Sequence, residues 1–274
     1  MPRFEMFREF GSGLLHSKRV WLIQLIGNAL LFALFAGWLL LPVATELHVL
    51  LNALAIVALA AAGLVLHAGT LNFYFEQSLN ERPLIRSAFG RAVKHILAIG
   101  ACVGLLIALW ALLDLSKPRQ LALPFYVRSL LPSFVRVHLA MWWFQIAVEG
   151  IVFAIRWIVI PGLILPLVVE TANSGFRAFG KLGLAAFRNS VKRASYWMVL
   201  LLAAVVGCVA PISLLDWTPE FQNPTLHLEA FSLIARLSAA YVLAVASWLL
   251  VCSIAGRFSG PAVGSGDTPG NSAA

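Results

Sequence analysis

Long apolar runs, separated by short segments rich in basic residues, dominate this chain. Five runs, at residues 20–41, 49–74, 96–113, 196–214 and 231–255, come close to the roughly 20 apolar residues that a helix needs to cross a bilayer. The pattern predicts an all-α fold, a polytopic membrane helix bundle with amphipathic helices at the membrane interface.

A sixth apolar region, residues 139–169, is too long for one upright span and short for two. Its 31 residues correspond to about 46 Å of helix. A single span would put the basic segments 75–95 and 171–195 on one side of the membrane, as the positive-inside tendency favours. We therefore expect one long span, bent near Pro161 and Pro166, and six spans in total.

The distribution of charge gives an orientation for these spans. Most Lys and Arg residues fall on the side of the N-terminus, whereas the last loop on the other side carries Asp216, Glu220 and Glu229. We expect a multi-pass protein of a bacterial inner membrane, with both termini in the cytoplasm. The bundle should occupy residues 1–258, and the Gly/Ser/Pro-rich tail 259–274 should be disordered.

Composition removes several classes of function. The chain is 61% hydrophobic and 12% charged, with a net charge of +8. Its Lys and Arg residues gather between the apolar runs, so a nucleic-acid partner is not expected. Its three cysteines are far apart in sequence and form no Cys/His cluster, so neither a metal site nor a disulfide framework is expected. We find no catalytic motif, no catalytic residue and no cofactor-binding motif, and an enzyme has no positive support.

Two basic segments resemble each other. Residues 88–95 and 186–193 both fit the pattern Ala-Phe-x-x-small-Val-Lys-basic, at an offset of 98 residues, and both directly precede a predicted span. The similarity indicates either a duplicated unit or a coincidence, because small, apolar and basic residues are common where a basic segment meets a span.

A second similarity involves Pro166 and Glu170, followed by Ala186-Phe-Arg-Asn-Ser190 and Trp197. This pattern resembles an uncharacterised family of bacterial six-helix membrane proteins, which includes the membrane domain fused to some glycerophosphodiester phosphodiesterases. The resemblance implies a six-helix architecture. It implies no activity, because the phosphodiesterase's soluble catalytic domain has no counterpart here.

Two groups of residues are candidates for ligand or lipid binding. One is a basic arc of Arg177, Lys181, Arg188 and Lys192, which would share a helix face if the helix is continuous and could bind anionic headgroups. The alternative is that these charges only set topology.

The second group consists of charges inside the spans, Glu149, Arg156 and Arg236. Glu149 and Arg156 are seven residues apart on one helix face, and we expect them to form a structural ion pair. The alternative is a pocket in which the two arginines receive an anion.

Two functions remain open. The first is a membrane scaffold or accessory protein that binds lipids, anionic lipids among them, or partner helices. The second is a transporter or channel for an amphipathic or anionic solute, which a continuous polar lining would favour. Gly100-x-x-x-Gly104 and Ala203-x-x-x-Gly207 permit close helix contact, either within the chain or with a second copy or another membrane protein.

Overall fold

The computed structural model describes residues 17–42, 44–79, 83–219 and 226–259. All regular structure in these ranges is helical. The predicted tail lies outside the described residues except for its first position, Ser259, which ends the last helix. The basic residues of the first sixteen positions, and Glu220, also lie outside them.

The helices are, in chain order, α1 (Lys18–Leu39), α2 (Glu46–Ser78), α3 (Ile85–Lys94), α4 (Ile96–Leu115), α5 (Lys117–Leu130), α6 (Ser133–His138), α7 (Met141–Ala154), α8 (Ile160–Ser174), α9 (Lys181–Val191), α10 (Ala194–Ala204), α11 (Ala210–Asp216) and α12 (Leu226–Ser259). π-helical turns at Ile155–Val159 and Val205–Val209 join α7 to α8 and α10 to α11. A 3₁₀ turn, Gly175–Phe179, follows α8.

Six helical stretches are long and apolar enough to cross a membrane, which confirms the predicted fold class. They are Lys18–Leu39, Glu46–Ser78, Ile96–Leu115, Met141–Phe179, Ala194–Asp216 and Leu226–Arg257. The fourth is 39 residues long and combines α7 and α8. The ambiguous apolar region therefore belongs to one long helical stretch, as the charge distribution predicted.

Proline explains the two π-helical turns. Pro161 and Pro211 each lie two residues after a π turn, at the start of the next helix. A proline ring clashes with the carbonyl four residues earlier, which here belongs to Trp157 or Gly207 inside the π turn. The wider turn accommodates the ring. Pro166, by contrast, lies within regular helix, so of the two proposed bend positions only Pro161 adjoins a local change of helix type.

The two basic segments lie at one end of the bundle, which we call the basic end. Asn72, near the end of α2, donates hydrogen bonds to the carbonyl oxygens of Ala88 in α3 (3.1 Å) and Ala172 in α8 (3.3 Å). Ser78 donates to the carbonyl oxygen of Gly256 near the end of α12. These bonds fix the ends of α2, α8 and α12 beside one another, as alternating spans require.

Most of the tightly packed core lies toward the basic end. Its fully buried members include Leu71, Val169, Tyr196 and Leu249, from four different spans. Tyr196 donates a hydrogen bond to the Gly162 carbonyl oxygen at 2.6 Å, so its hydroxyl is satisfied within the core.

Small residues allow the spans to approach closely. A Cβ atom on Gly256 would lie 2.8 Å from the backbone carbonyl of Tyr74, and one on Gly207 would lie 2.4 Å from Oγ of Ser247. The Ala203-x-x-x-Gly207 pair therefore packs within the chain, against α12. No described residue beyond its own helical turn places an atom within 4 Å of the ideal Cβ position of Gly104, so that part of the α4 motif makes no close packing contact with them.

Opposite the basic end, α5 folds back along α7, and we call this the hairpin end. The stretch 121–138 belongs to the hairpin end. It forms most of α5, whose helix continues through Pro124, and the short α6. Arg128 of α5 donates to the carbonyl oxygen of Arg136 at 3.1 Å, closing the turn between them.

Candidate functional site

A groove along α9 gathers three of the four basic residues predicted to bind anionic headgroups. Lys181, Arg188 and Lys192 line it. Its other walls, as far as the described residues form them, are apolar and consist of Leu184, Ala185, Phe187 and Val191. The groove has a volume of about 460 Å³. Cations beside an apolar trough match the two chemical parts of an anionic lipid, the headgroup and the acyl chain.

The predicted arc is nevertheless not continuous. Arg177 lies in the 3₁₀ turn before α9, and Gly180 separates that turn from the helix. The condition for a shared helix face, a continuous helix from Arg177 to Lys192, is therefore not met. Gly180 lets the backbone change direction, because its φ of −101° and ψ of −145° depart from helical geometry.

The inner face of α9 explains why its cations point outward. Ala186 and Ser190 are buried, and Gly183 approaches the preceding turn so closely that an ideal Cβ would lie 2.0 Å from the Ala178 carbonyl oxygen. This contact leaves no room for a side chain at position 183. With small residues fixing one face against the bundle, the basic face is left exposed.

The basic end also contains a polar cluster that sequence reasoning missed. Glu76, at the end of α2, is 5% exposed and forms an ion pair with Arg91 of α3. Asn72, one helical turn before Glu76, ties α3 and α8 together. The available signal was the i, i+4 spacing of Asn72 and Glu76 at the end of an apolar run, which places both on one helix face.

His95, between α3 and α4, packs against Gly175, which follows the end of α8. A Cβ atom on Gly175 would lie 2.6 Å from Nδ1 of His95, and Gly175 has a φ of +64°, which favours glycine. Burial and, secondarily, the charges of Lys94 and Arg91 lower the pKa of His95. The neutral imidazole is therefore favoured in the folded protein.

At the hairpin end, Arg156 forms an ion pair with a residue other than the one predicted. Its Nη2 lies 2.6 Å from both carboxylate oxygens of Asp114, at the end of α4. Trp110 donates to the Arg156 carbonyl oxygen at 3.0 Å and its ring contacts that of Trp157. These contacts join the third and fourth spans.

The expected ion pair between Glu149 and Arg156 is therefore wrong. The two residues are separated by about 10 Å along the helix axis, whereas the facing helix brings Asp114 into direct contact. Glu149 is exposed on α7, and within the described ranges the structure gives it no ion pair.

Arg236 also has partners of its own. It donates to the carbonyl oxygens of Leu215 (3.2 Å) and Trp217, where α11 ends, and to that of Ser232 (3.4 Å). The guanidinium thus satisfies carbonyls left free at a helix terminus. No contact among the described residues brings Glu149, Arg156 and Arg236 together, so an anion pocket formed by all three is not assembled.

Other groups in the described residues give no sign of a metal site. No group of three His, Cys, Asp or Glu side chains there is placed to hold a metal ion. Cys102, Cys208 and Cys252 are free thiols, and Cys102 shares a hydrogen bond with Thr171 at 3.3 Å.

No protein-family model, curated protein or solved structure matches this chain. The resemblance to the phosphodiesterase-associated membrane domain stays a prediction. Within that pattern, Glu170 accepts a hydrogen bond from Ser174 at 2.9 Å, and Trp197 donates to the Val191 carbonyl oxygen at 2.9 Å. Both residues of the pattern thus have structural roles around the α8–α10 connection.

Proposed function

We propose that this chain is an accessory or scaffold protein of a bacterial inner membrane, and that it binds anionic phospholipid at the α9 groove. Its basic end, with both termini, would face the cytoplasm, where the membrane surface carries negative charge. The observation that carries the proposal is the convergence of Lys181, Arg188 and Lys192 around an apolar trough. A second copy or another membrane protein remains a candidate partner.

The electrostatic contribution to such binding is large enough to measure. Each cation near an anionic surface contributes about 1 kcal/mol. Three cations would together raise affinity by roughly two orders of magnitude, since 1.4 kcal/mol corresponds to a factor of ten. Arg177, exposed on the adjacent turn, would add to the field without lining the groove.

The interior of the bundle supports this function over transport of an anionic solute. The cavity among the second to sixth spans is lined almost entirely by apolar side chains, and none of the described residues lining it is charged. An anion crossing that region would lose its hydration without gaining a charged or metal partner.

The test is the amount of anionic phospholipid that remains bound per chain after purification. We expect a variant with Lys181, Arg188 and Lys192 changed to Gln to retain much less than wild type. A matched control changes three cations at the hairpin end, Lys117, Arg119 and Arg128, and should retain the wild-type amount. Equal losses in the two variants, or no loss in the first, would leave the α9 charges as topology signals only.

A further inference from the structure

Two cavities meet within the apolar part of the bundle. The first, which we call the lateral groove, lies between α1, α2 and α12 and has a volume of about 760 Å³. The second, the inner cavity, lies among the second to sixth spans and has a volume of about 450 Å³. Both volumes fall in the range of about 300–1,000 Å³ that is typical of small-molecule sites.

His67 of α2 and Trp248 of α12 line both cavities. Their rings meet edge to face, with centroids 5.1 Å apart. The pair is therefore a part of the lining that the lateral groove and the inner cavity share.

The same two side chains carry buried nitrogen atoms with unused hydrogen-bonding capacity. Neither Nδ1 of His67 nor Nε1 of Trp248 has a hydrogen-bond partner among the described residues. Neighbouring polar groups differ in this respect. Gln24 donates to Thr70 and to the Leu66 carbonyl oxygen, and Ser247 donates to the Ala203 carbonyl oxygen.

We propose that His67 and Trp248 recognise one neutral oxygen, a hydroxyl or a carbonyl, at the head of an apolar molecule whose chain occupies the inner cavity. The indole N–H can only donate, so the ligand atom must accept a hydrogen bond. A neutral imidazole can accept from a hydroxyl or, in its other tautomer, donate to a carbonyl. Both nitrogens are buried while the two rings are in contact, so the ligand oxygen reaches them only when the rings part.

The charge of the site sets the class of ligand. None of the described residues that line either cavity is an Asp, Glu, Lys or Arg. A charged headgroup would therefore be left without a counter-charge in an apolar region, whereas a neutral oxygen would not. This site is separate from the α9 groove, so the neutral-ligand proposal and the anionic-lipid proposal can fail independently.

Photo-crosslinking in phospholipid nanodiscs tests the proposal. Four probes share a 16-carbon chain with a diazirine at its centre and differ at one end, which is an alcohol, a methyl ketone, a carboxylate or a plain methyl group. Cross-linked peptides are mapped by mass spectrometry. We expect the alcohol, the ketone or both to label the cavity-lining parts of α2 and α12 roughly tenfold more than the hydrocarbon, the factor given by one net hydrogen bond.

Variants then assign the preference to the two rings. Trp248→Phe keeps a ring but loses the donor, and His67→Leu removes the imidazole. Each should reduce alcohol and ketone labelling toward the hydrocarbon level. His48→Leu is the matched control, because His48 also lies in α2 but does not line either cavity. In the wild-type protein, unlabelled hexadecanol should compete with the alcohol probe and hexadecane should not, a comparison that does not depend on the variants folding.

Labelling by the alcohol alone would assign a hydroxyl ligand, and labelling by the ketone would assign a carbonyl acceptor. Equal labelling by the hydrocarbon would overturn the proposal, because the cavity would then take apolar chains without recognising an oxygen. Stronger labelling by the carboxylate would overturn it in favour of an anionic ligand. Unchanged alcohol preference in both ring variants would also overturn it.

Discussion

The ion pair between Glu76 and Arg91 gives the sharpest stability prediction, because its two ends differ in exposure. The Glu76 side chain is 7% exposed and that of Arg91 is 35% exposed. Changing Arg91 to Gln would leave a nearly buried carboxylate without its partner. Changing Glu76 to Gln would leave a charge on the more exposed of the two side chains.

The magnitudes follow from this asymmetry. Breaking a buried ion pair costs about 3–5 kcal/mol, and the partial exposure of Arg91 places Arg91→Gln near 3 kcal/mol. Glu76→Gln should cost about 1 kcal/mol, because the remaining charge is on the partly exposed partner. The double variant should resemble Glu76→Gln, because the stranded charge is gone. Arg86→Gln is the matched control, an exposed arginine on the same helix, and should change little.

Equilibrium unfolding in mixed micelles, with an increasing fraction of a denaturing detergent, measures these differences. A stranded carboxylate at Glu76 predicts the order Arg91→Gln, then Glu76→Gln, then Arg86→Gln, from most to least destabilised. This prediction is open to direct refutation. It would be refuted if Arg91→Gln matched Arg86→Gln, or if the double variant were as unstable as the sum of the two single variants.

Three further predictions concern other parts of the bundle. Gly256→Ala should destabilise the protein by about 1–3 kcal/mol in the same unfolding assay, because its Cβ would overlap the α2 backbone, whereas Gly104→Ala should not. A double-mutant cycle between Asp114→Asn and Arg156→Gln should show coupling of about 1 kcal/mol, and the same cycle with Glu149→Gln in place of Asp114→Asn should show none. Burial lowers the pKa of His95 below its ordinary value. Lowering the pH from about 7.5 to 5.5 should therefore reduce the melting temperature more in wild type than in His95→Gln. Equal reductions would show that protonation of His95 does not destabilise the folded protein.

The spans could be predicted from sequence because their signal is local. An apolar run of sufficient length has few alternatives to a membrane helix. The positions of the basic segments favoured one span over two for residues 139–169. The π-helical turns were not predicted, although both precede a proline by two residues. Proline indicated a bend, but the choice between a kink and a widened turn depends on how the neighbouring helices pack.

The partners of the intramembrane charges could not be predicted because they lie on other helices. Arg156 and Asp114 are 42 positions apart, and sequence spacing alone favoured Glu149. The α9 groove was partly predictable, since three of its cations follow a helical period. Arg177 was misplaced because a glycine ended the helix that the period assumed. His67 and Trp248, from the second and sixth spans, are brought together only by the fold.

The most direct test of the whole account is the side of the membrane on which α9 lies. Cysteine would replace Lys181 or Glu46, both exposed, and a membrane-impermeant maleimide would be applied to intact cells and to inverted vesicles, with wild type as the control for the native cysteines. We predict labelling of position 181 only in inverted vesicles and of position 46 only in intact cells. Labelling of position 181 in intact cells would contradict the six-span orientation and, with it, anionic-lipid binding at the cytoplasmic surface.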